Sequence, residues 1–294
     1  MGLFVQQLIN GIALGNVYAL TAIGYSMVYG VLELVNFAHG SVYMIGAFLY
    51  YIVVVLCGLP WFIGFPVSLI GSGFLGVGYN RFALRPLRRA GLPKFTALIS
   101  TIGVATVFQN IIFLTMGSET RLFPTFFDGR FFTLGDATIL YVHVLIVSIS
   151  IFCLLLLTLF VKKTKNGMAM RAVAQNAEAA ECMGIDSDKI ISITFFLGSV
   201  LAALSGIFSC MSFRGIDMSI GTIISIKAFA ATVLGGVGNL PGAVLGSFII
   251  SIAEILTAGY ISSNMRDMSA FIILILILLF RPTGLLGRPS QKKV

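Results

Sequence analysis

Long apolar stretches separated by short polar connectors dominate the pattern of this chain. The stretches without any lysine or arginine are residues 5–32, 40–58, 61–79, 95–116, 137–161, 190–213 and 267–280. A helix needs about 20 apolar residues to cross the hydrocarbon core of a bilayer, and a spanning backbone must satisfy its own hydrogen bonds. The pattern therefore predicts an all-α, polytopic helical membrane protein.

Composition and charge support that prediction. Only 19 basic and 11 acidic residues occur among 294, whereas about a quarter of the residues in a soluble domain are charged. Three basic clusters, at 81–94, 162–189 and 281–293, hold 14 of the 19 lysines and arginines. Cytoplasmic loops carry such an excess, so the net charge of +8 indicates topology and not nucleic-acid binding.

Counting crossings against those clusters predicts about nine membrane helices, within a range of eight to ten. The N-terminus lies outside and the C-terminus is cytoplasmic on this count, in a bacterial inner membrane. The first apolar run outlasts the core of a signal peptide, so it is interpreted as a spanning helix. Glycines interrupt the apolar stretch 222–258. Residues 1–294 are predicted to form a single transmembrane domain, in which 162–189 is a long cytoplasmic segment.

Small residues inside the apolar stretches favour close helix packing. The run at 15–20 loosely matches the run at 198–203, which hints at an internal repeat of the kind that transporters use. The four cysteines at 57, 153, 182 and 210 lack paired spacing. We interpret them as packing residues and not as disulfide partners or metal ligands.

The connector 117–136 is rich in phenylalanine. Its aromatic residues are Phe123, Phe126, Phe127, Phe131 and Phe132. Such a segment is typical of an aromatic belt at the level of the lipid headgroups. A docking platform for an extracytoplasmic partner is the alternative interpretation.

The connector 162–189 is polar but rich in alanine, which favours helix formation. Asn176 is suited to cap a short helix, and Gly184 is suited to end it. A short helix with a face formed by Ala172, Ala179, Ala180 and Met183 fits a groove on another protein. The alternative is a plain soluble loop. The residues assigned to docking are Gly167, Arg171, Ala172, Gln175, Asn176, Glu178, Ala179, Ala180, Met183 and Gly184.

Part of this connector resembles the segment by which permeases of bacterial ABC importers engage their ATPases. Glu178-Ala179-Ala180, separated from Gly184 by three residues, matches the start of that E-A-A-x-x-x-G pattern. The match predicts that 162–189 is the coupling segment of a permease domain. The isoleucine and Leu-Pro that follow in the pattern are missing at the expected distance. This departure points away from the maltose-type importers.

Four motifs in fixed order resemble the LivH-like permeases of branched-chain amino acid ABC importers. They are Asn36-Phe37-Ala38-His39-Gly40 followed by Tyr43-Met44, Arg171-Ala172-Val173-Ala174-Gln175 followed by Met183-Gly184-Ile185, Leu234-Gly235-Gly236-Val237-Gly238 with Pro241-Gly242-Ala243, and Leu279-Phe280-Arg281-Pro282-x-Gly284-Leu285. The resemblance covers about residues 5–288 and is less specific for the substrate, because related permeases are associated with urea, amides and other amino acids.

The resemblance implies which components are supplied by other chains. These are two cytoplasmic ATPase subunits that hold ATP and magnesium, a second related permease and an extracytoplasmic solute-binding protein, around a chain that is embedded in lipid and carries no cofactor of its own. Transport then proceeds by alternating access. The chain is not expected to be an enzyme, because its glycine run is followed by Asn239-Leu240-Pro241 and not by the Gly-Lys-Ser/Thr of a phosphate-binding loop.

Two segments are candidates for the translocation path. Their residues are Asn36, Phe37, His39, Gly40, Gly235, Gly236, Gly238, Asn239, Pro241 and Gly242. Irregular backbone at membrane depth is tolerated against protein or a water-filled cavity. His39 is either a structural residue or a path-lining one, and the glycine run is either a plain turn or a break exposed to substrate.

Ionisable residues in the apolar regions must face the interior, an interface or a membrane surface. Glu33, Lys227 and Glu254 are such residues. A Lys227–Glu254 pair, if formed, either braces helices or contacts substrate. An ion-coupled transporter would use Glu33, Glu254 or Asp267, and an intramembrane hydrolase would use Ser72 with His39 or His143. Neither class has further support in the sequence.

Overall fold

A computed structural model describes residues 2–124, 131–134, 137–281 and 283–287. The described helices are α1 (Gly2–Leu32), α2 (Ala38–Tyr51), α3 (Trp61–Tyr79), α4 (Arg85–Arg89), α5 (Lys94–Met116), α6 (Tyr141–Lys163), α7 (Lys165–Gln175), α8 (Ala177–Cys182), α9 (Ser187–Phe213), α10 (Ile220–Gly235), α11 (Leu240–Tyr260) and α12 (Arg266–Phe280). π-Helical turns at Ile52–Leu56 and Asn80–Leu84 extend α2 and join α3 to α4, and a 3₁₀ turn at Ser263–Met265 precedes α12.

Eight helical segments are long and apolar enough to cross a membrane. They are Gly2–Leu32, Ala38–Leu56, Trp61–Arg89, Lys94–Met116, Tyr141–Lys163, Ser187–Phe213, Leu240–Tyr260 and Ser263–Phe280. The apolar helix α10 is shorter, at 16 residues. The prediction of a polytopic all-α bundle with eight to ten helices is therefore confirmed. α10 and α11 are separate helices, as the glycine-broken stretch 222–258 predicts.

Four short strands connect loops at one end of the bundle. β1 (Arg121–Leu122) pairs antiparallel with β4 (Gly215–Ile216), and β2 (Phe131–Leu134) pairs with β3 (Ala137–Leu140). The first pair ties the connector after α5 to the connector after α9. The sequence did not predict these strands, because two to four residues are too few for a visible alternation.

The phenylalanines of the 117–136 connector do not share one environment. Phe123 is buried and stacks on Tyr50, with ring centroids 5.4 Å apart. Phe131 and Phe132 are exposed, and the predicted positions Phe126 and Phe127 lie outside the described residues. The assignment of Phe123 to a headgroup belt or docking platform is wrong, because its ring fills the core instead.

The core of the bundle lies around α1, which packs against α9, α10 and α11, while α2 packs between α3, α9 and α10. α5, α6 and α12 lie at the periphery and expose many large apolar side chains, such as Leu114, Phe152 and Leu279. A soluble fold would bury such side chains, whereas lipid or a neighbouring subunit accommodates them.

Small residues set the distances between the core helices. A Cβ atom on Gly40 would lie 2.2 Å from the Gly221 carbonyl oxygen, and one on Gly221 would lie 2.6 Å from that of Gly40. Gly198 on α9 similarly faces Gly24 on α1. The small-residue pattern thus produces close backbone crossings, as expected where packing drives helix association.

Gly40→Ala is expected to lower the free energy of unfolding by about 1–3 kcal/mol, because the added methyl meets both the backbone of α10 at Gly221 and the Ser225 side chain. Thermal unfolding in detergent micelles measures this change. Gly78→Ala on α3 is the control, because its Cβ would have no heavy atom within 4 Å. An equal loss in both variants would contradict the role of the Gly40–Gly221 crossing.

Candidate functional site

The segment between α1 and α2 is a helix break that begins at the exposed Glu33 and is buried at Leu34 and Asn36. Glu33 ends α1 in a left-handed conformation with φ of +51°. The amide of buried Asn36 donates a 2.7 Å hydrogen bond to the Tyr79 hydroxyl, and the Phe37 backbone N–H donates to the Thr101 hydroxyl at 3.2 Å. The break is therefore held by side chains of α3 and α5.

His39 lies in the interior between α1 and α9. Its ring is edge-on to Tyr25 with centroids 4.8 Å apart, and its Nε2 atom has no hydrogen-bond partner among the described residues. Gly24 provides the room for this ring, since a Cβ there would lie 2.7 Å from Nε2. This enclosed position favours the structural interpretation of His39, and a role in the path stays a prediction.

The glycine run forms a tight turn between α10 and α11. Gly236 and Gly238 have φ of +106° and +80°, which L-residues with side chains rarely adopt. Gly235 and Gly242 pack backbone to backbone. Asn239 caps α11 by accepting a hydrogen bond from the Gly242 N–H at 3.2 Å. This arrangement is a helix hairpin, as the sequence indicated in place of a phosphate-binding loop.

The C-terminal motif lies on this turn. The N–H groups of Leu285 and Leu286 donate to the carbonyls of Leu234 and Gly235 at 2.8 and 3.0 Å. The Asn239 amide donates to the Leu286 carbonyl at 2.6 Å. Two of the four sequence motifs therefore form one structural unit.

Asn239→Asp is expected to release the C-terminal segment and leave α11 capped, because aspartate caps as well as asparagine but has no amide to donate. The backbone amides of Leu285 and Leu286 should exchange with deuterium about tenfold faster, as the loss of one hydrogen bond predicts. Asn264→Asp, in the 3₁₀ turn before α12, is the control. Unchanged exchange at both leucines would contradict the anchoring role.

The coupling segment folds as two short helices. The Thr164 hydroxyl accepts a hydrogen bond from Gly167 N–H to cap α7, and the Asn176 side chain accepts one from Ala179 N–H to cap α8, each at 3.0 Å. Gly184 follows α8 with φ of +83°. The predicted cap at Asn176 and the predicted end at Gly184 are confirmed. The Thr164 cap was missed, although a threonine three residues before Gly167 is a readable signal.

The faces of α8 differ in exposure. Glu178 and Ala179 are exposed, and Met183 is 83% exposed. Ala180 is buried, at 5% exposure, and Ala172 is half-buried. The predicted docking face thus does not form as proposed, because Ala180 packs inside its own chain. The exposed residues of α8 and of the two positions that follow it are Ala177, Glu178, Ala179, Glu181, Cys182, Met183 and Gly184.

α7 and the glycine turn line one open cavity of about 660 Å³. Arg171 and Gln175 of α7 face Gly238 and Asn239 across it, and Glu33 lies at the same cavity. Buried Gly167 fits α7 against the end of α6. The structure therefore brings together residues that the sequence assigned separately to coupling and to the path.

Three arginines bind the start of α9, at the C-terminal end of the coupling segment. Asp188 forms ion pairs with Arg85, Arg88 and Arg89 at 2.7, 3.3 and 3.0 Å. The sequence interpretation treated these arginines only as a topology signal. An aspartate at the start of a predicted helix, together with an arginine-rich connector elsewhere in the chain, could have predicted these ion pairs.

A buried charge network lies at the other end of α9. Lys227 Nζ lies 3.0 Å from Glu254 and 2.7 Å from Asp267. The Tyr18 hydroxyl donates to Glu254 at 2.9 Å, and Arg266 Nε lies 3.3 Å from the same carboxylate. The Lys227–Glu254 pair left open by the sequence thus forms. Tyr18 and Arg266 were not predicted, because their proximity depends on how α1, α11 and α12 cross.

Comparison with known proteins agrees with this architecture. A family model described as branched-chain amino acid transport system / permease component matches residues 7–280. The high-affinity branched-chain amino acid transport system permease protein BraD of Pseudomonas aeruginosa is 39% identical, over 99% of this chain and 98% of that protein. LivH of Escherichia coli K12, which carries the same description, is 38% identical over the same shares.

More distant proteins share the fold. A probable branched-chain amino acid transport permease protein LivH of Methanocaldococcus jannaschii is 30% identical over 96% of this chain and 92% of that protein. The solved structure of PsaBC from Streptococcus pneumoniae in complex with a Fab aligns with a TM-score of 0.54 at 15% identity, covering 96% of this chain and 93% of that one. The full-length matches establish that this chain belongs to the branched-chain amino acid transport system permease family.

Proposed function

We propose that this chain is the permease subunit of an ATP-driven importer for branched-chain amino acids in a bacterial inner membrane. The substrate assignment rests on the near full-length identity of 38–39% to relatives named as branched-chain amino acid permeases. The structure supports the class of protein, since its long apolar helices suit a bilayer and its coupling segment is exposed at one end.

The proposed complex holds two cytoplasmic ATPase subunits, a second homologous permease and an extracytoplasmic binding protein. ATP and magnesium bind to the ATPases, and this chain needs no cofactor. The C-terminus and the coupling segment face the cytoplasm, because three basic clusters, including 162–189, contain 14 of the 19 lysines and arginines. The end that carries Lys227, Arg266 and Asp267 then faces outward.

Force enters through the exposed face of α8. An ATPase subunit that contacts Ala179 and Met183 displaces α8 when it changes conformation. α8 is joined to α7 through the Asn176 cap. α7 packs on α1, α6 and α9 and faces the glycine turn across the open cavity. A displacement of α7 therefore reaches the helices of the bundle core, as alternating access requires. The helix break at Asn36–Gly40 and the glycine turn are the proposed path elements.

The alternatives have less support. An ion-coupled transporter needs carboxylates available to the ion, but Glu33 pairs with Lys94 at 2.6 Å, and Glu254 and Asp267 both pair with Lys227. An intramembrane hydrolase needs a base on its serine, but the fully buried Ser72 hydroxyl has no hydrogen-bond partner among the described residues. The near full-length relatives reported above are described as branched-chain amino acid permeases, which favours that substrate class over urea or amides.

Reconstitution of the complex into proteoliposomes tests the proposal. Leucine uptake is expected to require the ATPases, ATP and the binding protein together, and to persist when ion gradients are collapsed. Vesicles that contain an inactive ATPase are the control. Uptake by the permeases alone along an ion gradient would refute the proposal.

A further inference from the structure

The charge network borders an open pocket that the coupling mechanism does not use. This pocket, of about 340 Å³, lies where α9 ends and where α10 and α12 begin. The coupling segment precedes α9, whose 27 residues span about 40 Å at 1.5 Å per residue. The pocket is therefore at the opposite end of the bundle. Its volume lies in the range of small-molecule sites.

The pocket presents both signs of charge beside an apolar wall. Arg266 and Asp267 are consecutive residues at the start of α12, and both line the pocket. The apolar wall consists of Phe213, Ile220, Ile223 and Ile224. An amino acid with a branched aliphatic side chain carries the complementary groups, namely a carboxylate, an ammonium one carbon away and a compact apolar body.

The existing contacts leave donors and acceptors for a ligand. Arg266 uses Nε toward Glu254, so its two terminal amino groups remain for a carboxylate. The Arg266 guanidinium lies 5.2 Å from the Phe213 ring centroid, which holds its plane in the pocket. Asp267 accepts from Lys227 through Oδ1, and its side chain is 57% exposed, which leaves Oδ2 for an ammonium.

The network behind the pocket fixes these two side chains. Lys227 is 5% exposed and Glu254 is fully buried, so their charges must be balanced inside the protein. Arg266 and Asp267 balance them from the pocket side. Their positions are thus set before a ligand arrives, which reduces the entropy lost on binding.

We propose that this pocket is a binding site for a zwitterionic aliphatic amino acid, with the carboxylate on Arg266 and the ammonium on Asp267. The proposal rests on the proposed function for its ligand class and places a substrate site in the permease itself. Ile220, Ile223 and Ile224 contact the aliphatic side chain. The pocket receives the amino acid at the end of the bundle opposite the coupling segment.

Substrate protection of an introduced cysteine tests the site. Ile223→Cys is placed in a chain with Cys57→Ala, Cys153→Ala and Cys182→Ala, assembled with its partner subunits but without binding protein, and labelled with a methanethiosulfonate reagent. L-Leucine should slow the labelling. 3-Methylbutylamine and 4-methylpentanoate, which each lack one charge, should need about 10- to 100-fold higher concentrations, as the loss of a charged hydrogen bond predicts.

Matched variants distinguish the loss of ligand binding at this pocket from a general effect of the substitutions on the fold. Arg266→Gln and Asp267→Asn should each raise the leucine concentration needed for protection by about 10- to 100-fold, whereas Arg121→Gln and Glu119→Gln, outside the pocket, should leave it unchanged. Leu122→Cys on exposed β1 should label at one rate with or without leucine in every variant, which verifies that the fold is intact.

The outcomes distinguish the two proposals. Equal protection by leucine and both analogues, or no protection in a complex that imports leucine, would overturn the site and leave the proposed function standing. Protection in a complex that does not import leucine with ATP and binding protein would uphold the site and refute the transport proposal.

Discussion

Lys227→Met is expected to lower the free energy of unfolding by about 3–5 kcal/mol, the typical effect of breaking a buried ion pair. The substitution leaves the fully buried Glu254 carboxylate with Tyr18 and the partly exposed Arg266 as its partners. It also removes the partner of Asp267. Unfolding of the purified chain in mixed micelles, followed by circular dichroism, measures the loss.

The chain offers an exposed ion pair as the matched control. Lys94 and Glu33 lie 2.6 Å apart with side chains 63% and 58% exposed, so Lys94→Met should change the free energy of unfolding by at most about 1 kcal/mol. The double variant Lys227→Met/Glu254→Gln should regain part of the stability lost in Lys227→Met. Equal effects of Lys227→Met and Lys94→Met would show that the buried network does not stabilise the fold.

Ala179→Arg is expected to disconnect the permease from its ATPases while the chain folds normally. The side chain is exposed on α8, so arginine is accommodated in the free chain but adds bulk and charge to the proposed contact. Truncation or obstruction at the centre of an interface weakens binding by about 2 kcal/mol or more, which is roughly 30-fold. Co-purification of the ATPase and leucine uptake should both fall by that order.

Two control variants test whether the effect of Ala179→Arg is specific to the ATPase contact. Ala90→Arg adds the same side chain to an exposed position in the other connector at this end, between α4 and α5, and should leave ATPase binding unchanged. Ala180→Arg should instead reduce the amount of folded chain, because Ala180 is buried. Normal uptake in Ala179→Arg would exclude this face of α8 as the ATPase contact.

The apolar pattern of the chain was sufficient to predict most of the fold. The free energy of transferring a side chain into lipid depends on the residue itself, so a run such as 141–163 indicates a spanning helix without knowledge of its neighbours. Caps are equally local, and Asn176 and Gly184 were predicted for that reason. The short strand pairs were missed, because β1 gains its partner only from a connector far along the chain.

The candidate site was predicted less completely. The sequence proposed Ala180 for a docking face, but a pattern of small residues does not tell which side of a two-turn helix packs inward. It left the Lys227–Glu254 pair open, because their helices are joined by a turn whose shape depends on Gly236 and Gly238. The contact between this turn and the C-terminal motif is equally non-local.

Membrane residence, an all-helical bundle, the capped short helix at 177–182 and the family resemblance were accessible from the residues alone, because hydrophobicity, helix capping and motif order are properties of short stretches. Only the tertiary structure decided which side chains meet. Tyr18 reaches Glu254 across 236 positions, and Arg266 reaches the same carboxylate from α12. Such contacts depend on helix rotation and crossing distance, which close packing at positions such as Gly40 and Gly221 sets and which no local pattern records.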